Sequence, residues 1–293
     1  DRKPERGRWK ATKAARPSAS RKQARKWTAI SVLGTLLGGS ALGALYLVLV
    51  LTGWFGPRTQ YVPFWVGRVD RPNVAPVAWI DADRRAIREE SPFATFEESD
   101  FQDPTLEVMN TGISALAGRK SGDAVVVHVA GYALVTPEDD KEGPIRILAK
   151  DSNPAAPGTS LPLRALLKAF ADDCPTRKKL LILDIMRPRL DLADLNGMGT
   201  SDGVSEFIRS EVERAIGDKE AAAKEKGLVL VACSEGESTV EIDSMGGSLF
   251  NRHLRTGLED PAADANGDGR ITVKELTADL ARRVSRDAWR YRR

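Results

Sequence analysis

Three stretches of this chain are almost unbroken runs of branched and aliphatic residues: DAVVVHV at 123–129, KLLILDI at 179–185 and GLVLVAC at 227–233. Strands that read this way are buried on both faces, the habit of parallel sheets covered by helices. Strands with one wet face alternate apolar and polar residues instead. Between the runs lie segments whose apolar residues recur three and four apart, the helical period. Residues 104–117 carry Leu106, Met109, Ile113 and Leu116 in that spacing, and residues 80–90, 161–171, 203–216 and 249–258 also read as helices. One more strand is expected at 61–66. The fold class that follows is α/β, a mostly parallel sheet flanked by helices. In such sheets ligands and chemistry gather beyond the carboxyl ends of the strands, here 130–133, 185–188 and 234–241.

A different kind of segment precedes this body. From Thr28 to Gly56 no residue is charged. Residues 29–51 supply the ~20 apolar positions that cross a hydrocarbon layer ~30 Å thick, more than the ~7–15 of a signal peptide. Buried helices of soluble domains are seldom apolar on every face. Trp27, Trp54 and Phe55 stand at the ends, where interfacial aromatics belong. Residues 1–27 hold eleven Lys/Arg against Asp1 and Glu5, so the overall charge of +3 conceals a basic arm of +9 and a remainder of −6. That bias predicts a cytoplasmic N-terminus and an extracytoplasmic body. The expected organisation is a basic arm at 1–26, a transmembrane helix at 27–55, a linker with the first strand at 56–77, and the α/β domain at 78–293. Pro57, Pro63, Pro72 and Pro76 predict an extended linker. Gly34 with Gly38, and Gly39 with Gly43, have the small-xxx-small spacing that lets helices pair. The arm abuts the apolar span, which favours anionic headgroups over nucleic acid as its partner. A hydrophobic content of 42% excludes wholesale disorder and collagen-like structure.

Three blocks in order, SGDAVVVHVAGYALV at 121–135, KKLLILDIMRP at 178–188 and GLVLVACSEGESTVE at 227–241, are followed by GGSLFNRHLRTGLE at 246–259. Together they resemble the caspase-like cysteine peptidases, the clan of caspases, metacaspases and bacterial relatives. The first block is similar to the family's strand ending in Ser-Gly-His-Gly, the second to the strand ending in Asp-Ala-Cys-His. The resemblance implies a cysteine-type endopeptidase built on a thiol nucleophile beside an imidazole base. It places the base at Tyr132 and the nucleophile at Met186. A phenol of reference pKa ~10 is a poor base at neutral pH, and a thioether has no proton to lose. Ala133 also replaces the glycine after the family's histidine. Asp184 keeps the acidic residue that, in metacaspase-like members, helps receive a basic substrate side chain. The domain therefore reads as a pseudo-peptidase whose cleft holds a peptide or protein partner.

Two other readings stay open. An active peptidase could use Cys233 with His128, although His128 lies within an apolar run, where a histidine is more often a core residue, and free cysteines are usually small buried hydrophobes. The body could also be an α/β ligand-binding domain of unrelated function. Cys174 precedes one strand and Cys233 ends another, at opposite sheet ends ~17–20 Å apart, so two free thiols are expected in place of a disulfide. NGMGTSDG at 196–203 lacks the strand and spacing of a dinucleotide site. The acidic clusters at 97–103 and 138–142 read as solvated faces or loop.

The sharpest motif is DANGDGRITVKE at 264–275. It resembles the calcium loops of EF-hand and dockerin type. Asp264, Asn266, Asp268 and Glu275 fall at loop positions one, three, five and twelve, with Gly269 at the sixth, where the chain must turn. Arg270 would offer its carbonyl, Thr272 would act through water, and Ile271 would anchor the loop. A polar turn with Thr272 capping the next helix is the plainer reading. Pro261 interrupts the incoming helix. A lone loop of this kind predicts weak affinity, near the ~10⁻⁴–10⁻³ M of extracellular modules, with a structural role for Ca²⁺.

Overall fold

The structure, a computed structural model, describes residues 59–71, 74, 76–77, 79–90, 97–98, 101–136, 141–185, 204–217, 226–232, 239, 241–242 and 246–291. The basic arm, the apolar run with Gly34, Gly38, Gly39 and Gly43, and positions Met186 and Cys233 lie outside them. Among the described residues no helix is long and apolar enough to cross a membrane.

The main sheet is built by β1 (Thr59–Trp65), β2 (Glu97–Glu98), β3 (Phe101–Gln102), β4 (Ala124–Ala130), β8 (Lys178–Asp184) and β9 (Leu228–Val231). Their order is β2-β1-β4-β8-β9, with β3 following β2 along the same side of β1. All these pairings are parallel. A second, antiparallel sheet joins β5 (Ala133–Val135), β6 (Ile145–Ile147) and β7 (Leu161–Pro162). A short pair, β10 (Glu241–Ile242) and β11 (Gly247–Ser248), precedes a late helix.

Register sorts the side chains into two faces, because successive residues of a strand point opposite ways. Pro63 pairs with His128 and His128 with Ile182, so Tyr61, Trp65, His128, Ile182 and Asp184 share one face. Phe64, Val127, Val129, Leu181 and Leu183 share the other. Both faces are covered, as the unbroken apolar runs predict: Val127, Val129, Leu181, Ile182 and Leu183 have no exposure at all.

The Phe64 face packs against α2 (Leu106–Ser114) and α3 (Leu163–Lys168), with α4 (Val204–Ile216) resting on α3. Thr105 caps α2 by accepting the Val108 N–H, and Met109, Gly112 and Ile113 are its buried side. Gly112 lies so near the Phe64 ring that a Cβ there would approach it to 2.8 Å. The His128 face packs against α1 (Ile80–Glu90), α5 (Leu249–Glu259) and α6 (Val273–Tyr291). Ser248 caps α5 by accepting the Asn251 N–H.

Three details differ from the sequence reading. The proline-rich stretch after β1 packs instead of trailing, with Val66, Val69, Val74 and Val77 all buried and Val77 N–H bonded to Gly67 O at 2.8 Å. The acidic cluster at 97–103 supplies β2 and β3 rather than loop, and Asp103 accepts the Gly67 and Arg68 amides at 2.8 and 3.0 Å. The helix expected at 161–171 begins two residues later, because Leu161 pairs with Ile147, and it ends in a widened turn at Ala169–Asp173.

Candidate functional site

The carboxyl ends of β4 and β8 are joined: Gly131, just past β4, donates its N–H to Asp184 O at 3.1 Å. Gly131 has φ +154, and a Cβ there would come within 3.0 Å of Val66 O, so the chain turns closely against the strand beside it. The next residue, Tyr132, is 4% exposed and accepts the Leu148 N–H on its carbonyl. It leads into the second sheet as a packed residue.

Asp184 is fully buried, and both carboxylate oxygens are engaged. Oδ1 accepts the Thr239 hydroxyl at 3.0 Å, and Oδ2 accepts Nδ2 of Asn251 at 2.9 Å. The same Nδ2 donates to Asp83 Oδ2 at 3.1 Å, while the Asp83 carboxylate accepts the Ser248 N–H with both oxygens at 3.1 Å. One amide group thus ties two buried carboxylates, one on a strand end and one on α1, into a knot at the end of the sheet where α/β chemistry gathers. The Asn251 Oδ1 is buried and accepts nothing among the described residues. An unused buried acceptor costs roughly 1–3 kcal/mol, so it calls for a donor. A small cleft bounded by Asp83, Gly246, Asn251, Arg252 and Arg255 opens beside it.

Sequence reasoning found Asp184 and missed Asp83, Asn251 and Thr239. A signal was present for two of them. Asp83 stands on the Ile80–Ile87 stripe of α1, and Asn251 stands on the stripe continued by Leu254 and Leu258 of α5. A polar residue on an apolar stripe is a buried one, and a buried one has a partner.

His128 lies elsewhere. It has no exposure, its Nδ1 is 2.9 Å from the Tyr61 hydroxyl, and its ring packs 4.6 Å from that of Trp65. It is an interior residue of the sheet face, two residues before the strand end. Cys174, the cysteine within the described residues, is a buried free thiol whose pKa burial pushes up.

The loop at 264–275 is exposed and tightly bonded. Asp264 accepts the amides of Gly267, Asp268 and Gly269 at 2.8, 3.2 and 2.7 Å. Asp268 accepts the Arg270 N–H and the Asn266 Nδ2, and Asn266 Oδ1 accepts the Asp268 N–H. Gly267 and Gly269 take φ +72 and +80, which glycine adopts without strain. Glu275 accepts the Thr272 N–H and hydroxyl at 2.9 and 2.8 Å, while its own N–H reaches the Thr272 hydroxyl, a capping box that starts α6. These Thr272 bonds hold the Glu275 carboxyl below its usual range. The oxygen donors suit a hard cation, and carboxylate oxygens that accept loop amides keep further lone pairs. Among the described residues no three His, Cys, Asp or Glu groups converge to hold a metal.

No protein-family model matches the chain, and no curated protein is similar to it. Solved structures are. The crystal structure of caspase-1 from Spodoptera frugiperda superposes with a TM-score of 0.52 over 79% of this chain and 79% of that one, at 18% identity. The fold is caspase-like: a mostly parallel central sheet with helices on both faces.

Proposed function

We propose that the body is a pseudo-peptidase: a caspase-fold domain that holds a peptide or protein segment at the carboxyl end of its sheet without cutting it. The observation that carries this reading is Asn251, whose buried Oδ1 remains available for a donor between two carboxylates. A ligand N–H, from a basic side chain above all, meets that need. The loss of catalysis is supported by Tyr132, buried at the position where the family resemblance expects a base, and by Met186 in the nucleophile's place. The core position of His128 weakens its pairing with Cys233. We extend the proposal to a single membrane span at 27–55, with the body outside the cytoplasm, and to a weak Ca²⁺ site at Asp264, Asn266, Asp268, Arg270, Thr272 and Glu275 that orders the start of α6.

The test uses the full chain in detergent with fluorescent peptides bearing Arg, Lys, Leu or Glu. The expected outcome is anisotropy binding of the basic peptides with no hydrolysis, and loss of binding in Asn251→Leu. A Tyr132→His/Met186→Cys double variant should gain slow cleavage. Turnover by the natural chain that disappears in Cys233→Ala would overturn the reading.

A further inference from the structure

A second feature lies at the opposite end of the sheet. Between the first residues of β4, β8 and β9 and the N-terminal half of α6 runs a groove of about 1030 Å³. Val126, Leu180 and Leu228 wall it from the strands, and Ala278 and Ala281 wall it from α6. Leu228 is 39% exposed there, one of few large hydrophobics so placed among the described residues. Among the described residues no carboxylate lines the groove, whereas Arg177, Lys178 and Lys274 stand on its margin with exposed side chains.

These three cations differ from the body's paired arginines. Arg146, Arg164, Arg209, Arg214, Arg283 and Arg286 are all in ion pairs. Arg177, Lys178 and Lys274 have no ion pair among the described residues. An apolar trough with a margin of unneutralised cations matches an anionic amphiphile, whose chain seeks the trough and whose headgroup seeks the charges.

The chain itself indicates the source. Thr59 pairs with Ala124, which lines the groove, so β1 begins at this same end of the sheet. Only seven residues, 52–58, separate Thr59 from the end of the apolar run at Leu51. Fully extended, that tether spans at most about 28 Å. We infer that this groove is a lipid-docking surface: it seats on anionic phospholipid of the bilayer that holds the N-terminal span, with Arg177, Lys178 and Lys274 on the phosphates. The inference rests on the membrane-anchor part of the proposed function.

The experiment uses the full chain in nanodiscs, with Cys233→Ser and a nitroxide on Thr277→Cys beside the groove. In equimolar phosphatidylcholine and phosphatidylglycerol, oxygen should relax the label more than an aqueous nickel chelate does. In phosphatidylcholine alone, the order should reverse. Each basic residue at an anionic surface contributes about five-fold to partition, so Arg177→Glu/Lys178→Glu/Lys274→Glu should lower the docked population by roughly 100-fold. An aqueous label in the anionic discs, or a lipid-exposed one indifferent to charge, would overturn docking. Alkaline carbonate extraction separates the two failures. A chain that stays with the membrane while its label reads aqueous loses only the docking surface. One that is released loses the anchor, and the docking with it.

Discussion

The amide nitrogen of Asn251, on α5, lies 2.9 Å from Oδ2 of Asp184, at the last position of β8. The two stand 67 positions apart in the chain, and the bond fixes the His128-face helices to the carboxyl end of the sheet. Truncating either partner leaves the other buried without its bond. Asp184→Ala and Asn251→Ala should each lower unfolding free energy by about 2–4 kcal/mol. The double variant should lose less than the sum, as residues in one network do. Denaturant melts of all four forms check this, and simple additivity would mean the two side chains act separately.

Gly112 tests the other face. A Cβ at 2.8 Å from two Phe64 ring carbons forces the ring to move, and Phe64 is already stacked on Phe101 with centroids 5.1 Å apart. Gly112→Ala should therefore destabilise the domain by about 1–3 kcal/mol, despite the better helix propensity of alanine. A variant as stable as the natural chain would show that α2 sits farther from β1.

Lys179 is a buried cation with a built surrounding. Its ammonium donates to Ala171 O and Cys174 O, each at 2.8 Å, and sits 5.5 Å from the Phe170 ring centre. Burial pushes its pKa down. Lys179→Met keeps the packing and leaves two carbonyls at the end of α3 without a donor, a loss of about 1–3 kcal/mol in a thermal or urea melt. No loss would mean that the carbonyls find water.

Acid should loosen the last helix before the rest. His253 Nε2 is 3.0 Å from Asp287 Oδ2, joining α5 to α6. Burial pushes His253 below its ordinary value, with Asp287 opposing and Arg283 and Arg252 assisting. A hydrogen bond from Arg286 holds Asp287 below the usual carboxylate range. A base whose folded pKa is depressed leaves the unfolded chain binding more protons, so stability is full above the unfolded pKa of about 6.5 and falls as pH drops from there toward the folded value. Asp287 adds a second loss below about 4. Melting temperature should thus decline between pH 7 and 5, and His253→Asn should flatten that part of the profile. Parallel declines in both proteins would assign the effect elsewhere.

Calcium, if the loop takes it, should raise the melting temperature. At ten times the dissociation constant, mass action gives a shift of roughly 3–6 °C for a domain of this size. Glu275→Gln should abolish the shift, and EGTA should reverse it in the natural chain. Identical melts with and without the ion would leave 264–275 as a capped turn.

The sheet was legible because its central strands are buried on both faces: Val125, Val127, Leu181 and Leu183 on one, and Val126, His128 and Ile182 on the other. The short strands were not. Glu97–Glu98 and Phe101–Gln102 carry no alternation to read in two residues, and only the free edge of β1 makes them strands. Asp184 was visible through a motif, whereas Asp83 and Asn251 needed the helix stripes to be read for their violations. The packing of Val69, Val74 and Val77 was hidden by the nearby prolines, which suggested reach where the valines are buried and Val77 N–H bonds Gly67 O.

β1 is the first of the described strands and an interior strand of the sheet, with β2 and β3 along one side and β4 along the other. It runs parallel to β4 through seven registered pairs, from Thr59 beside Ala124 to Trp65 beside Ala130. A pull on the N-terminal end of β1 therefore loads all of these rungs together in shear and cannot peel them one at a time. A domain held by its leading end resists tension through the middle of its sheet.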